Sequence, residues 1–92
     1  MTNEQIKEYL ADRGYEDALV FENPDYASAF IGVSDDGRAI YDYDLMVLHL
    51  MTVEGWDEDE AIEWIDYNTL RACPYYEKAP IIMYGVEEDW PC

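Results

Sequence analysis

The chain has 92 residues, which is the size of one small domain with a single core. It carries 22 acidic and 5 basic residues, a formal net charge of −17. Half of the residues are apolar, so the charge does not predict a disordered chain. The charge does argue against direct binding to nucleic acid or to anionic membranes, because both would repel the protein.

The sequence predicts a cytoplasmic protein. Residues 1–5 show neither the basic nor the apolar segment of an export signal. The longest apolar stretch, around 45–53, is too short to cross a bilayer. The two cysteines, Cys73 and Cys92, are therefore expected to be reduced thiols.

A first helix is predicted over 2–13. Thr2 is a good N-cap, and Gln5 three residues later completes a capping box. Gly14 is the stop signal. The apolar run 18–21 then predicts a short strand.

A β-hairpin is predicted in the next segment. Asn23-Pro24-Asp25 has the composition of a turn. The runs 29–34 and 38–41 are both β-prone, and they flank Asp35-Asp36-Gly37, which is a typical hairpin turn.

The second predicted helix begins at Asp42 or Asp44 and ends at Gly55. Its residues are apolar nearly all the way round, which is typical of a helix at the centre of a core or covered by a partner. We therefore expect it to be the most buried element, with Leu48 in the core.

A third helix is predicted from Asp57, the N-cap, with Glu60 as its capping-box partner, to about residue 72. A last strand follows over 81–84. Together the elements predict an α+β fold, a small, mostly antiparallel sheet of three or four strands with about three helices packed on one face. The whole chain, 1–92, is one acidic domain that ends in a short acidic tail at 85–92.

The sequence offers little for catalysis. The single histidine, His49, lies in the most apolar helix, where a core or edge position with a local hydrogen bond is expected. Neither Ser28 nor Ser34 lies in a glycine-flanked nucleophile turn, and Cys73 is expected to be a passive thiol. There is no glycine-rich phosphate loop. We predict that the protein is not an enzyme and needs no cofactor.

A dedicated metal site is not predicted either. The acidic run that starts at Asp57 fails the calcium-loop pattern, because Ile62 occupies the position that requires glycine. One alternative remains open, a small enzyme or metal-binding protein centred on four aspartates near the hairpin, namely Asp35, Asp36, Asp42 and Asp44.

The third helix presents a stripe of acids. Asp59, Glu63 and Asp66 lie at i, i+4 and i+7, and Glu60 lies beside them. Like charges at this spacing cost a few tenths of a kcal/mol per pair, and no lysine relieves the repulsion. A protein that accepts this cost repeatedly is predicted to use the acids in binding. The predicted partner-binding residues are Asp57, Asp59, Glu60, Glu63, Asp66, Asp35, Asp36 and Tyr67.

Aromatic residues support an interface. Nine tyrosines and three tryptophans are many for this length, and aromatic residues mixed with polar ones are typical of binding surfaces. The tyrosines considered for such a surface are Tyr41, Tyr43, Tyr67, Tyr75 and Tyr76.

Three segments carry a resemblance to other proteins. They are DGRAIYDYD (36–44), EAIEWIDYNTLRA (60–72) and KAPIIMY (78–84). They resemble a group of small, acidic hypothetical proteins of phages and mobile elements in gut Firmicutes. The resemblance implies a mobile-element setting, in which small acidic proteins often inhibit host defence nucleases. It assigns no role to any single residue.

The predicted function is therefore binding. The partner is a basic protein surface, such as the nucleic-acid-binding surface of a host defence nuclease, which the protein occupies as a nucleic-acid mimic of the anti-CRISPR or anti-restriction type. The alternative is an accessory interaction or oligomerisation domain that uses the apolar second helix, with a homodimer as one form. A third interpretation is that the acids serve only solubility.

Overall fold

The first helix of the computed structural model, α1, spans Asn3–Asp12 as predicted. The structure describes residues 2–22, 25–71 and 76–85. The capping box is complete, because the Thr2 hydroxyl accepts from the Gln5 backbone N–H and the Gln5 side chain accepts from the Thr2 N–H. Gly14, with φ of +82°, ends the helix in the left-handed conformation that glycine favours.

The strand predicted over 18–21 is wrong. This segment forms no sheet ladder and is tied to its surroundings by isolated hydrogen bonds. The Leu19 N–H donates to the Lys78 carbonyl at 3.2 Å, and the Phe21 N–H donates to the Tyr41 hydroxyl at 3.3 Å. The run is apolar because it packs on the core, not because it pairs with a strand. Of the turn predicted at 23–25, residues 23 and 24 lie outside the described residues.

The hairpin prediction is confirmed. Strands β1 (Phe30–Val33) and β2 (Ala39–Asp42) pair in antiparallel orientation, with a register shift between Phe30 and Gly32. Gly37 occupies the turn with φ of +82°. A Cβ at this position would lie 2.6 Å from the Tyr15 ring, so the turn admits no side chain here.

The third strand, β3 (Ile81–Met83), pairs with β2 in parallel, so the sheet is mixed and its order is β1-β2-β3. A parallel neighbour requires a long crossover, and the two later helices lie within that crossover. The α+β class is confirmed.

The second helix, α2, spans Tyr43–Glu54, with Asp42 as N-cap and Gly55 (φ +73°) as the left-handed stop. The third helix, α3, spans Glu58–Trp64, and the Asp57 carboxylate accepts from the Glu60 N–H at 2.9 Å. It continues without a break into a π-helical turn, Ile65–Leu70. Residue 72, the expected end, lies outside the described residues.

The core is formed by residues from every helix and from the hairpin. Its fully or nearly fully buried members include Ile6, Leu10, Tyr26, Ala29, Ala39, Tyr41, Met46, Leu50, Ala61 and Ile65. No helix of the described part of the chain is long and apolar enough to cross a membrane.

The prediction that α2 is the most buried element, with Leu48 in the core, is wrong. Leu48 is 54% exposed and Leu45 is 38% exposed. Only Met46, Val47 and Leu50 of this helix are buried. These three lie on one side of the helix, so its other apolar side faces outward.

Candidate partner-binding surface

The third helix buries one side and exposes the other, and the π-helical turn helps to keep each side in line. In an α-helix, a residue four positions on is rotated by about 40°, so a four-residue repeat drifts across the surface. The wider turn over 65–70 reduces this drift. Accordingly Ala61, Ile65 and Thr69 are all buried. On the outer side, Glu63 and Tyr67 line the same depressions.

Hydrogen bonds help to hold the π-helical turn. The Asn68 side-chain amide donates to the Trp64 carbonyl at 3.2 Å, which gives this carbonyl a partner outside the α-helical pattern. On the inner side the Tyr26 and Thr69 hydroxyls are 3.4 Å apart. The turn is therefore joined both to the preceding helix and to the core.

The outer side carries the predicted acids together. We call Asp59, Glu60, Glu63 and Asp66 the acidic face, and all four are exposed. Two shallow depressions lie along it and share Glu63 and Tyr67. The first, of about 440 Å³, is lined by Trp56, Glu60, Glu63, Trp64, Tyr67 and Asn68. The second, of about 380 Å³, is lined by Asp59, Ile62, Glu63, Asp66, Tyr67 and Arg71.

All five basic side chains of the protein contact its own groups. The Lys7 ammonium pairs with Glu22, and the Arg13 guanidinium lies 3.6 Å from the centroid of the Tyr9 ring. Only Arg71 lies at the acidic face, with its guanidinium 4.9 Å from the centroid of the Tyr67 ring. The remaining two, Arg38 and Lys78, lie at the hairpin. Little positive charge is therefore left to neutralise the acidic face.

Asp66 also joins the acidic face to α2. The Tyr43 hydroxyl, at the start of α2, donates to the Asp66 carboxylate at 3.2 Å. Burial, followed by the nearby charge of Asp66, raises the pKa of Tyr43 to about 12. Tyr43 therefore keeps its proton, and its hydrogen bond, across the physiological range.

The hairpin acids, Asp35 and Asp36, have a different setting. The Asp36 carboxylate accepts from the Ser34 hydroxyl, and this bond, together with Arg38 and Lys78, holds the pKa of Asp36 below its usual value. The Lys78 ammonium donates to the Asp36 carbonyl at 2.6 Å, and Arg38 Nε donates to the Ala79 carbonyl at 2.8 Å. The charge at this turn is partly compensated.

The predicted site residues therefore fall into separate groups. Asp59, Glu60, Glu63, Asp66 and Tyr67 are brought together, and Asp57 caps the same helix. Asp35 and Asp36 precede β2, whereas Tyr43, the partner of Asp66, follows it. The strand between them spans about 10 Å. The hairpin acids therefore lie at the opposite end of β2 from the contact between Tyr43 and the acidic face.

The alternative of a metal site at four aspartates is contradicted for the same reason. Asp35 and Asp36 lie before β2, while Asp42 and Asp44 lie beyond it, and Asp42 is engaged as the N-cap of α2. Among residues 2–22, 25–71 and 76–85, no group of three or more potential ligands is placed to hold a metal ion.

The tyrosines divide between core and surface. Tyr41 is completely buried, and burial raises its pKa to about 12, so its assignment to an interface is wrong. Tyr43 is half-buried, whereas Tyr67 and Tyr76 are more than 60% exposed. Tyr75 lies outside the described residues, as does Cys73.

His49 is an edge residue, as expected, but its hydrogen bond joins it to a distant part of the chain and is not local. Its Nδ1 atom lies 3.3 Å from the Ser28 hydroxyl, and its ring packs edge-on against Tyr26.

Sequence reasoning missed two residues of the surface, Trp56 and Trp64. Their rings pack with centroids 6.2 Å apart and an angle of 41° between the planes, and both line the first depression. The sequence carries no clear signal for this pairing, because Trp56 precedes the N-cap and lies outside the helical repeat of α3.

No protein-family model matches this chain, and neither the curated proteins nor the solved structures include a significant match to it. The interpretation of the surface therefore depends on its own chemistry.

Proposed function

We propose that this protein binds a basic surface of a partner protein and occupies it in place of nucleic acid. The observation that supports this proposal is the exposed acidic charge of the third helix, beside which Arg71 is the one basic side chain among the described residues. Six acids lie between Asp57 and Asp66 with no basic residue among them, and all six side chains are exposed. A surface used only for solubility would mix both signs.

The spacing of the acids suits a groove that binds phosphates. With a rise of about 1.5 Å per residue, Glu63 lies roughly 6 Å from Asp59 and roughly 4.5 Å from Asp66 along the helix axis. In a duplex, the phosphates of one strand follow one another every 3.4 Å or so along the helix axis. Lysine and arginine side chains are long enough to adjust between the two spacings. Attraction between many charges also speeds association.

The partner class we propose is a host defence nuclease, either RNA-guided or a restriction enzyme, which the protein would inhibit in the cytoplasm. The resemblance of three segments to proteins of phages and mobile elements supports this choice. The protein itself would perform no catalysis and need no cofactor.

The test compares two triple charge reversals. The first variant alters the acidic face and combines Asp59→Lys, Glu63→Lys and Asp66→Lys. The second makes the same charge change on α1, where all three residues are exposed, and combines Glu4→Lys, Glu8→Lys and Asp12→Lys. Inhibition of purified nucleases would be measured at low and high salt, with duplex DNA as competitor. We expect the first variant to lose about two orders of magnitude in affinity and the α1 control to lose much less.

The expected inhibition weakens with salt, because screening acts on several separated charges at once. If both triple variants inhibit as the native protein does, or if salt has no effect, mimicry by this helix is wrong.

A second candidate is an assembly function through α2. The exposed Leu45 and Leu48 on its outer side favour it. The salt dependence of binding distinguishes the two candidate functions, because apolar association between two acidic chains strengthens when their repulsion is screened. Light scattering at increasing salt would show dimers in the native protein and monomers in Leu45→Ser with Leu48→Ser.

A further inference from the structure

The first depression on the acidic face combines aromatic rings with free carboxylates. Trp56, Trp64 and Tyr67 supply three rings, and Glu60 and Glu63 supply two carboxylates one helical turn apart. Within the described residues, neither carboxylate has a hydrogen bond or an ion pair. We call this site the tryptophan depression.

This lining suits a cation, and a planar cation best. Aromatic faces attract a cation within about 6 Å of the ring centroid, and tryptophan attracts it most strongly. Guanidinium is more weakly hydrated than ammonium and stacks on aromatic planes. It also donates several N–H groups in a fixed fork, which two neighbouring carboxylates can accept.

The protein already shows guanidinium on this surface. Arg71 lies over Tyr67, the ring that the two depressions share, and lines the second depression together with Asp59, Glu63 and Asp66. Arg13 lies over Tyr9 in the same manner, at 3.6 Å. The second depression therefore holds an arginine of the chain itself, whereas the tryptophan depression has its rings and carboxylates without one.

We propose that the tryptophan depression receives an arginine side chain of the partner. The guanidinium lies over the indole rings and donates to Glu60 and Glu63. This inference depends on the proposed function, since it names the group by which a basic partner is recognised. It adds a preference that charge alone would not give, for arginine over lysine.

The experiment uses two peptides of equal length and charge, one of arginine and one of lysine. Their affinities for the 92-residue protein would be measured by calorimetry at two salt concentrations. We expect the arginine peptide to bind roughly 5–20-fold more tightly, because the guanidinium fork can donate to both carboxylates while it lies on the rings, whereas an ammonium cannot. Glu60→Gln with Glu63→Gln should reduce that ratio to near one.

A matched control removes the same charge elsewhere. Glu4→Gln with Glu8→Gln on α1 should weaken both peptides slightly and leave the ratio unchanged. The indole N–H signals of Trp56 and Trp64 in nuclear magnetic resonance spectra should shift with the arginine peptide and much less with the lysine peptide. This readout needs no variant, so it stands even if a substitution alters folding.

The outcomes separate the two proposals. If both peptides bind with equal affinity and with steep salt dependence, the tryptophan depression is not an arginine site. The proposed function would still stand. The arginine site is also wrong if the ratio of arginine-peptide to lysine-peptide affinity is unchanged in the variant Glu60→Gln with Glu63→Gln. If neither peptide binds at low salt, both proposals fall.

Discussion

The helices α2 and α3 follow one another along the chain and use their surfaces in opposite ways. α2 is apolar on nearly every side, yet it buries only Met46, Val47 and Leu50 and exposes Leu48 by 54%. The third helix buries a narrow line of residues and exposes acids on the other side. The comparison shows that the packing of a helix against the rest of the protein, rather than its apolar content, determines which side of the helix is buried.

The largest effect should come from a matched pair within α2. Leu50→Ala removes a side chain that is 2% exposed and should lower the free energy of unfolding by about 2–5 kcal/mol. Leu48→Ala, on the outer side of the same helix, should cost under about 1 kcal/mol. Urea denaturation measures both. Equal costs, together with a melting temperature that rises with protein concentration, would mean that a second copy covers Leu48.

A smaller effect should come from the contact between the two helices. Tyr43→Phe removes the hydroxyl that donates to Asp66, at a cost of about 1 kcal/mol near neutral pH. Denaturation by urea at several pH values would measure the difference from the native protein.

The same contact predicts an alkaline transition. The pKa of Tyr43 is raised from 10.0 to about 12, so the folded protein retains a proton that the unfolded chain loses. The stability that this provides is complete below pH 10 and disappears as the pH rises through 12. The advantage of the native protein over Tyr43→Phe should therefore shrink over that range, and an unchanged difference would contradict the assignment.

The smallest effect concerns repulsion along the acidic face. Asp59→Asn with Glu63→Gln removes one pair of like charges at i, i+4 and should stabilise the protein by a few tenths of a kcal/mol. The gain should be visible in calorimetry at low salt and vanish at high salt. A loss of stability instead would show that these carboxylates have partners in the folded protein.

Local signals in the sequence predicted the ends of the elements well. Thr2, Asp42 and Asp57 are N-caps as expected, and Gly37 and Gly55 have the positive φ that their turns require. These signals depend on residues close together in the chain, which is why a single sequence shows them.

What the sequence could not predict depends on distant contacts. The run 18–21 looked like a strand because its apolar side packs on the core, but within the described part of the chain it pairs with no strand. Leu48 looked buried because nothing local indicates which side of an apolar helix meets the sheet. The acidic face was found from spacing alone, whereas the pairing of Trp56 with Trp64 required the actual helix path.

The π-helical turn over Ile65–Leu70 makes the acidic face sensitive to the length of the third helix. A π-helical turn closes i→i+5 hydrogen bonds, so it contains about one residue more than an α-helical turn. Deleting one residue of this turn should therefore restore continuous α-helical hydrogen bonding and change the position of Tyr67 relative to Glu63.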